Sequence, residues 1–201
     1  PGGPMSALTW EDVGGGAGLR VTVPVTMGPD GAARELAPRL SALAGERAPA
    51  SSGEAGARPG VPVVTIDGYS GSGKSTLAAA LVRLVNGWQV LHLDDWYPGW
   101  DGLEAGADIA CRIAADLRGG RASSYEAWDW DKGTTGATTR VPLAPTIIEG
   151  CGAIEAEADL VIWIADPGEE ERRNRALARD GQTYAPHWQR WADQDLGRSV
   201  E

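Results

Sequence analysis

The residues best suited to chemistry form one run, Gly68-Tyr69-Ser70-Gly71-Ser72-Gly73-Lys74-Ser75-Thr76. It fits the pattern G-x-x-x-x-G-K-[ST], which requires a strand before it and a helix after it. The apolar stretch 61–67 supplies the first, and the Leu- and Ala-rich stretch after Lys74 supplies the second. Glycines let such a loop curl until its N–H groups point into one concavity, and the following helix adds the positive end of its dipole. Gly68, Ser70, Gly71, Ser72, Gly73 and Thr76 are therefore expected to cradle phosphates. Lys74 would reach the outer ones, and the Ser75 hydroxyl would sit on Mg²⁺ beside them. From this composition roughly 0.004 matches to the pattern are expected by chance.

Phosphoryl transfer needs a held donor, neutralised charge and an acceptor oxygen in line. Asp94, after the apolar run 88–93, is placed to accept a hydroxyl proton. The other readings are a loop-capping acid or a plain Mg²⁺ ligand, with Asp95 as the fallback base. Glu149 closes the apolar stretch Thr146-Ile147-Ile148 and is expected near the metal, directly or through water, or bonded to a loop N–H. Arg172, Arg175 and Arg179 recur at helical spacing, so one face could close over the transferred phosphate. The acids Glu169 to Glu171 allow instead a solvated, salt-bridged helix. Trp128 and Trp130 flank Asp129 in a Gly- and Thr-rich segment, as plates around an acceptor suited to a nucleobase or sugar. His92 reads as a satisfied core histidine, and His187 as surface.

Strands alternating with helices must position these groups. Strands are expected over 61–67, 88–93, 146–149 and 160–165, and helices over 74–85, 103–117, 169–180 and 186–196, with Leu77, Leu81, Leu84 and Val85 as one apolar stripe. That order implies a parallel sheet with right-handed crossovers, and ligands at the carboxyl ends of its strands. Ahead of it, residues 5–60 read as an extension: an edge strand over 19–26 because of Pro24, a helical stretch over 32–44 interrupted by Pro38, and a linker over 45–60. Residues 1–4 read as a cloning remnant. The domain proper spans 61–201, with a lid near 168–185.

A net charge of −10 disfavours broad attraction to nucleic acid or an anionic membrane. No run approaches a membrane span and no charged-then-apolar signal opens the chain, so a cytoplasmic protein is expected. Cys111 and Cys151 lack metal-ligand spacing and read as packed free thiols.

These motifs, in this order over residues 61–185, resemble the uridine kinase-like branch of P-loop kinases. The resemblance implies a P-loop NTPase fold of three α/β/α layers, with ATP and Mg²⁺ as cofactors. It further implies that Asp94, followed by Trp96 and Tyr97, acts on a sugar 5′-hydroxyl, with Tyr97 at the substrate. Trp128-Asp129-Trp130 corresponds to an aromatic-Asp-aromatic element that touches the nucleoside, with Trp where Tyr is usual. Glu149-Gly150 matches the family's strand-end pair, and Arg172, Arg175 and Arg179 its lid. The chain is short after the lid, where the family has a further strand, and residues 19–26 are the candidate to extend the sheet instead.

The leading expectation is an ATP- and Mg²⁺-dependent kinase acting on a hydroxyl of a small molecule, most simply a nucleoside. A kinase for a phosphate acceptor is the alternative, with Arg121 and Arg140 available to bind it. A non-catalytic nucleotide-binding switch is the alternative of another class. A GTPase is disfavoured because no Asn-Lys-x-Asp element is present.

Overall fold

The computed structural model describes residues 7–13, 18–46 and 60–198. The remnant expected at 1–4 and most of the linker expected over 45–60 lie outside the described residues. Among the described residues, eight strands form two sheets. They are β1 (Thr9–Asp12), β2 (Leu19–Val23), β3 (Val63–Asp67), β4 (Gln89–His92), β5 (Ser123–Asp129), β6 (Thr134–Val141), β7 (Thr146–Glu149) and β8 (Leu160–Ile164). The helices are α1 (Pro29–Glu46), α2 (Lys74–Val82), α3 (Leu103–Arg118), α4 (Glu169–Tyr184) and α5 (Trp188–Leu196).

The main sheet has the order β1-β2-β8-β3-β7-β4, parallel except for β1. Pleat alternation divides the core. Val64, Ile66, Leu160 and Ile162 face α1 and α2, whereas Val63 and Val161 face α3 and the carboxyl-terminal helices. Helices thus cover both faces, which is why β3 and β8 are buried throughout their length. This is a three-layer α/β/α P-loop NTPase fold, with the loop running from β3 into α2.

The amino-terminal segment departs from expectation. β2 is not an edge strand: it pairs with β8 on one side and β1 on the other, extending the parallel sheet. Pro24 lies just past the strand, in a turn where its carbonyl accepts from Met27 N, so its missing N–H costs no ladder bond. Pro38 likewise does not interrupt α1, because Ala33, Leu36, Ala37, Leu40 and Leu43 bury one continuous face against α2 and the sheet. Leu77 and Leu81 on α2 and Val85 in the turn after it are buried, but Leu84 in that turn is exposed.

The Gly- and Thr-rich segment 123–141 is a β5–β6 hairpin, with a register shift between Glu126 and Trp128. Among the described residues, no helix is long and apolar enough to cross a membrane.

Candidate active site

Because β3, β7 and β4 are parallel neighbours, their carboxyl ends open on one side of the sheet. Register sets Glu149 between Ile66 and His92. Above these ends lies a cavity of about 670 Å³, whose walls include Lys74, Ser75, Asp94, Asp95, His92, Glu149 and Arg179. That volume suits a small-molecule ligand.

Lys74 Nζ donates to the carbonyls of Gly68 at 2.8 Å and Tyr69 at 3.1 Å, so the loop's own backbone aims it. Burial acts against the charge of this ammonium, but Cys151, Asp195, Asp67 and Glu149 together outweigh it and hold its pKa above the usual lysine range. Cys151 Sγ lies 3.4 Å from Lys74 Nζ, and burial pushes the thiol up to about 12, so it is neutral at physiological pH. Ser75 Oγ donates to Glu149 Oε1 at 2.9 Å, and His92 Nδ1 lies 2.5 Å from the same oxygen. The hydrogen bond to Glu149 raises the His92 pKa, against the pull of burial. His92 is therefore part of the cavity wall, not a core histidine.

Asp94 is exposed to the cavity, whose walls remove part of its hydration. That desolvation, reinforced by Glu149, raises its pKa, while Arg179 and Lys74 pull the other way. Its carbonyl accepts from Trp130 Nε1 at 2.8 Å, which ties the hairpin to the cavity rim. Asp95 also lines the cavity, and burial raises its pKa too.

Several predicted residues stand elsewhere. Arg172 is only 2% exposed: its Nε donates to Asp166 at 2.8 Å, its guanidinium lies over the Tyr69 ring, and it does not line the cavity. Arg175 pairs with Glu171 at 2.8 Å and lines a second, smaller hollow. Of the three arginines only Arg179 reaches the cavity, held by Asp180. The shared face fails because the buried side of α4 takes Arg172 inward.

Tyr97 lines the cavity but is buried, its hydroxyl donating to the Cys151 carbonyl at 2.6 Å. Trp130 is in the cavity wall; Trp128 and Asp129 are not. Asp129 instead accepts from the N–H groups of Asp131 and Lys132, capping the hairpin turn. Arg121 pairs with Asp116, and neither it nor Arg140 lines the cavity.

Beyond Trp130 and Tyr97, the cavity's aromatic wall departs from expectation. Trp100 stacks on His187, with centroids 4.4 Å apart, and on Tyr184 at 5.3 Å, and Trp130 and Trp191 close around it. A signal was present in the nine tryptophans of a chain without Phe, two of them, Trp96 and Trp100, beside the Asp94 strand end.

The second hollow, about 330 Å³, lies behind the loop. Val25, Met27 and Pro167 give it apolar walls, and Gly73 and Thr76 line both it and the main cavity.

Among the described residues no cluster of three or more His, Cys, Asp or Glu side chains could hold a metal ion by itself. A hydroxyl and a carboxylate do meet at Ser75 and Glu149, a pair that suits Mg²⁺ completed by phosphate oxygens and water. The residues present therefore fit Mg²⁺ delivered with a nucleotide.

No protein-family model matches the chain, and no curated protein does. Among solved structures, the chain is similar to a possible uridine kinase from Bacillus stearothermophilus, at 19% identity over 83% of this chain and 97% of that one, with a TM-score of 0.42. It is also similar to a provisionally assigned fructose transport system kinase from Silicibacter sp. TM1040, at 22% identity over 76% of this chain and 86% of that one, with a TM-score of 0.44.

Proposed function

We propose that this protein is a kinase that transfers the γ-phosphoryl group of Mg²⁺-bound ATP to a hydroxyl of a small molecule with a flat or sugar-like face, a nucleoside being the simplest fit. The observation that carries this reading is that Asp94, Lys74 and the Ser75–Glu149 pair, from three different strand ends, face one cavity.

The donor phosphates lie in the loop's concavity, where backbone N–H groups and the α2 dipole hold them and Lys74 turns from the loop carbonyls to the outer phosphate oxygens. Ser75 and Glu149 would hold the metal, which would supply charge neutralisation on the phosphates. The apolar hollow behind the loop takes the donor's base, since Gly73 and Thr76 are common to both spaces. Asp94 accepts the acceptor hydroxyl's proton, and its raised pKa brings its basicity closer to working pH. Arg179 stands nearest to stabilise charge developing on the transferred group, and Trp100, Trp130 and Trp191 wall the acceptor from water.

A phosphorylated acceptor fits poorly. Among the described residues, the Lys and Arg side chains lining the cavity are Lys74 and Arg179, and the acids Asp94, Asp95, Glu149 and Asp180 line it too. With Lys74 engaged by the donor and Arg179 by the group in transfer, no second cationic cluster remains among the described residues for an acceptor phosphate.

Equilibrium titration of the protein with Mg²⁺ and ATP, followed by intrinsic tryptophan fluorescence, tests the donor half of this reading. Saturable binding that Lys74→Ala weakens at least tenfold supports it, and no binding by the wild-type chain refutes it.

A further inference from the structure

Behind the phosphate loop lies a buried ionic network that the proposed transfer does not use. Asp67, at the end of β3, is fully buried and accepts from the N–H groups of Gly68 at 2.6 Å, Gly152 at 3.0 Å and Ile154 at 2.9 Å. Arg198 donates to both its oxygens, at 2.8 and 3.1 Å, and also to Asp195 Oδ1 at 2.6 Å. Asp195, near the end of α5 and 0% exposed, presents its other oxygen to Ser70 N at 2.6 Å.

Ser70 is held at all three of its polar positions. Its N–H goes to Asp195, its hydroxyl lies 2.8 Å from the Tyr184 hydroxyl, and its carbonyl accepts from Arg172 Nη1 at 3.4 Å. All three partners belong to the α4–α5 arm. The next residue, Gly71, has φ +80°, and a Cβ there would stand 2.2 Å from the Arg172 carbonyl oxygen, so the arm's backbone rests directly on the loop.

Two consequences follow. Fixing Ser70 fixes the adjoining carbonyls of Gly68 and Tyr69 that aim Lys74. Two carboxylates set behind an anion cradle would repel phosphate unless neutralised, and Arg198 bridges both.

We propose that Asp195, held by Arg198, is a positioning residue for the phosphate loop, so that the end of α5 sets the loop's shape and its affinity for phosphate. This rests on the reading of the loop as a phosphate site. It adds that the arm grips the loop from behind rather than only covering the cavity.

The test is hydrogen exchange across residues 68–76 in the free protein, with β8 as internal reference, paired with Mg²⁺–pyrophosphate binding. Asp195→Ala should speed exchange of the loop amides at least tenfold, leave β8 unchanged and weaken pyrophosphate at least tenfold. Asp195→Asn keeps an oxygen for Ser70 N–H and should stay within threefold of wild type in loop exchange. Tyr184→Phe, which removes one hydroxyl and serves if Asp195→Ala does not fold, should speed loop exchange by about threefold and leave β8 unchanged. Loop exchange unaltered in Asp195→Ala, or raised only in step with β8, overturns the proposal, and so does unaltered loop exchange in Tyr184→Phe. A wild-type protein that binds neither pyrophosphate nor ATP refutes the nucleotide reading instead, while loop exchange still decides whether Asp195 positions the loop.

Discussion

Ser75 and Glu149 stand 74 positions apart in the chain, yet the Ser75 hydroxyl donates to the Glu149 carboxylate at 2.9 Å. One residue opens α2 and the other ends β7, and the parallel pairing of β3 with β7 is what brings them together. If this pair holds the metal, Glu149→Gln keeps a hydrogen-bond acceptor for Ser75 but removes the charge. The Mg²⁺ concentration for half-maximal turnover should then rise by about 10–100-fold, the range typical of lost metal-site partners. A Mg²⁺ titration of turnover in the two proteins measures this, and chelation should silence both.

Asp94→Asn separates binding from chemistry. Turnover should fall by about 10²–10⁴-fold while ATP affinity stays within a few-fold, because the residue works on the acceptor side. The acid limb of the wild-type pH–rate profile should lie above the ordinary aspartate range, because desolvation and Glu149 raise this pKa.

The same shift has a consequence for stability. A carboxyl whose pKa is higher folded than unfolded opposes folding once ionised, so its cost is absent below the unfolded pKa, develops as pH rises from there and is complete above the folded pKa. Asp94→Asn should therefore melt higher than wild type at pH 7, with the difference closing toward about pH 4, near the unfolded aspartate pKa. Melting curves across that interval check the sign.

Gly71→Ala tests the close approach of α4 to the loop. The alanine would carry a left-handed φ, costing about 1–3 kcal/mol, and its Cβ would press on the Arg172 carbonyl. Denaturant unfolding should show at least that loss, and ATP affinity should fall with it.

Val25 is 55% exposed and sits on the wall of the small hollow, away from the acceptor cavity. Val25→Glu should leave stability nearly unchanged and weaken ATP several-fold, by placing charge where the donor's base would lie. Pyrophosphate, which has no base, should bind as before. Equal weakening of both would remove the base from that hollow.

The parallel core was legible because each strand announces itself locally. Apolar runs with a polar residue at the end mark β3, β4 and β7, and their parallel pairing then brings the loop, Asp94 and Glu149 together. What escaped depends on burial between distant segments. The stretch 19–26 looks like an edge because it contains Pro24, and only the pairing of its first part with β8 reveals an interior strand. Arg172, Arg175 and Arg179 look equivalent by helical spacing, but packing turns one inward, leaves one outside and gives one to the cavity. Trp128-Asp129-Trp130 reads as one element, whereas β5 ends at Asp129, which caps the turn, and Trp130 in that turn joins the cavity wall without Trp128. Asp195 and Arg198 stand three residues apart in a short polar stretch, and their burial behind the loop has no local signature.

The most direct test is ADP release from ATP and Mg²⁺ across a panel of nucleosides, nucleoside monophosphates and other hydroxylated metabolites, with Lys74→Ala as the blank. The account predicts stimulation by an acceptor that carries a free hydroxyl and no phosphate, and no stimulation in the variant. Stimulation by monophosphates alone, or a rate that Lys74→Ala leaves unchanged, would contradict it.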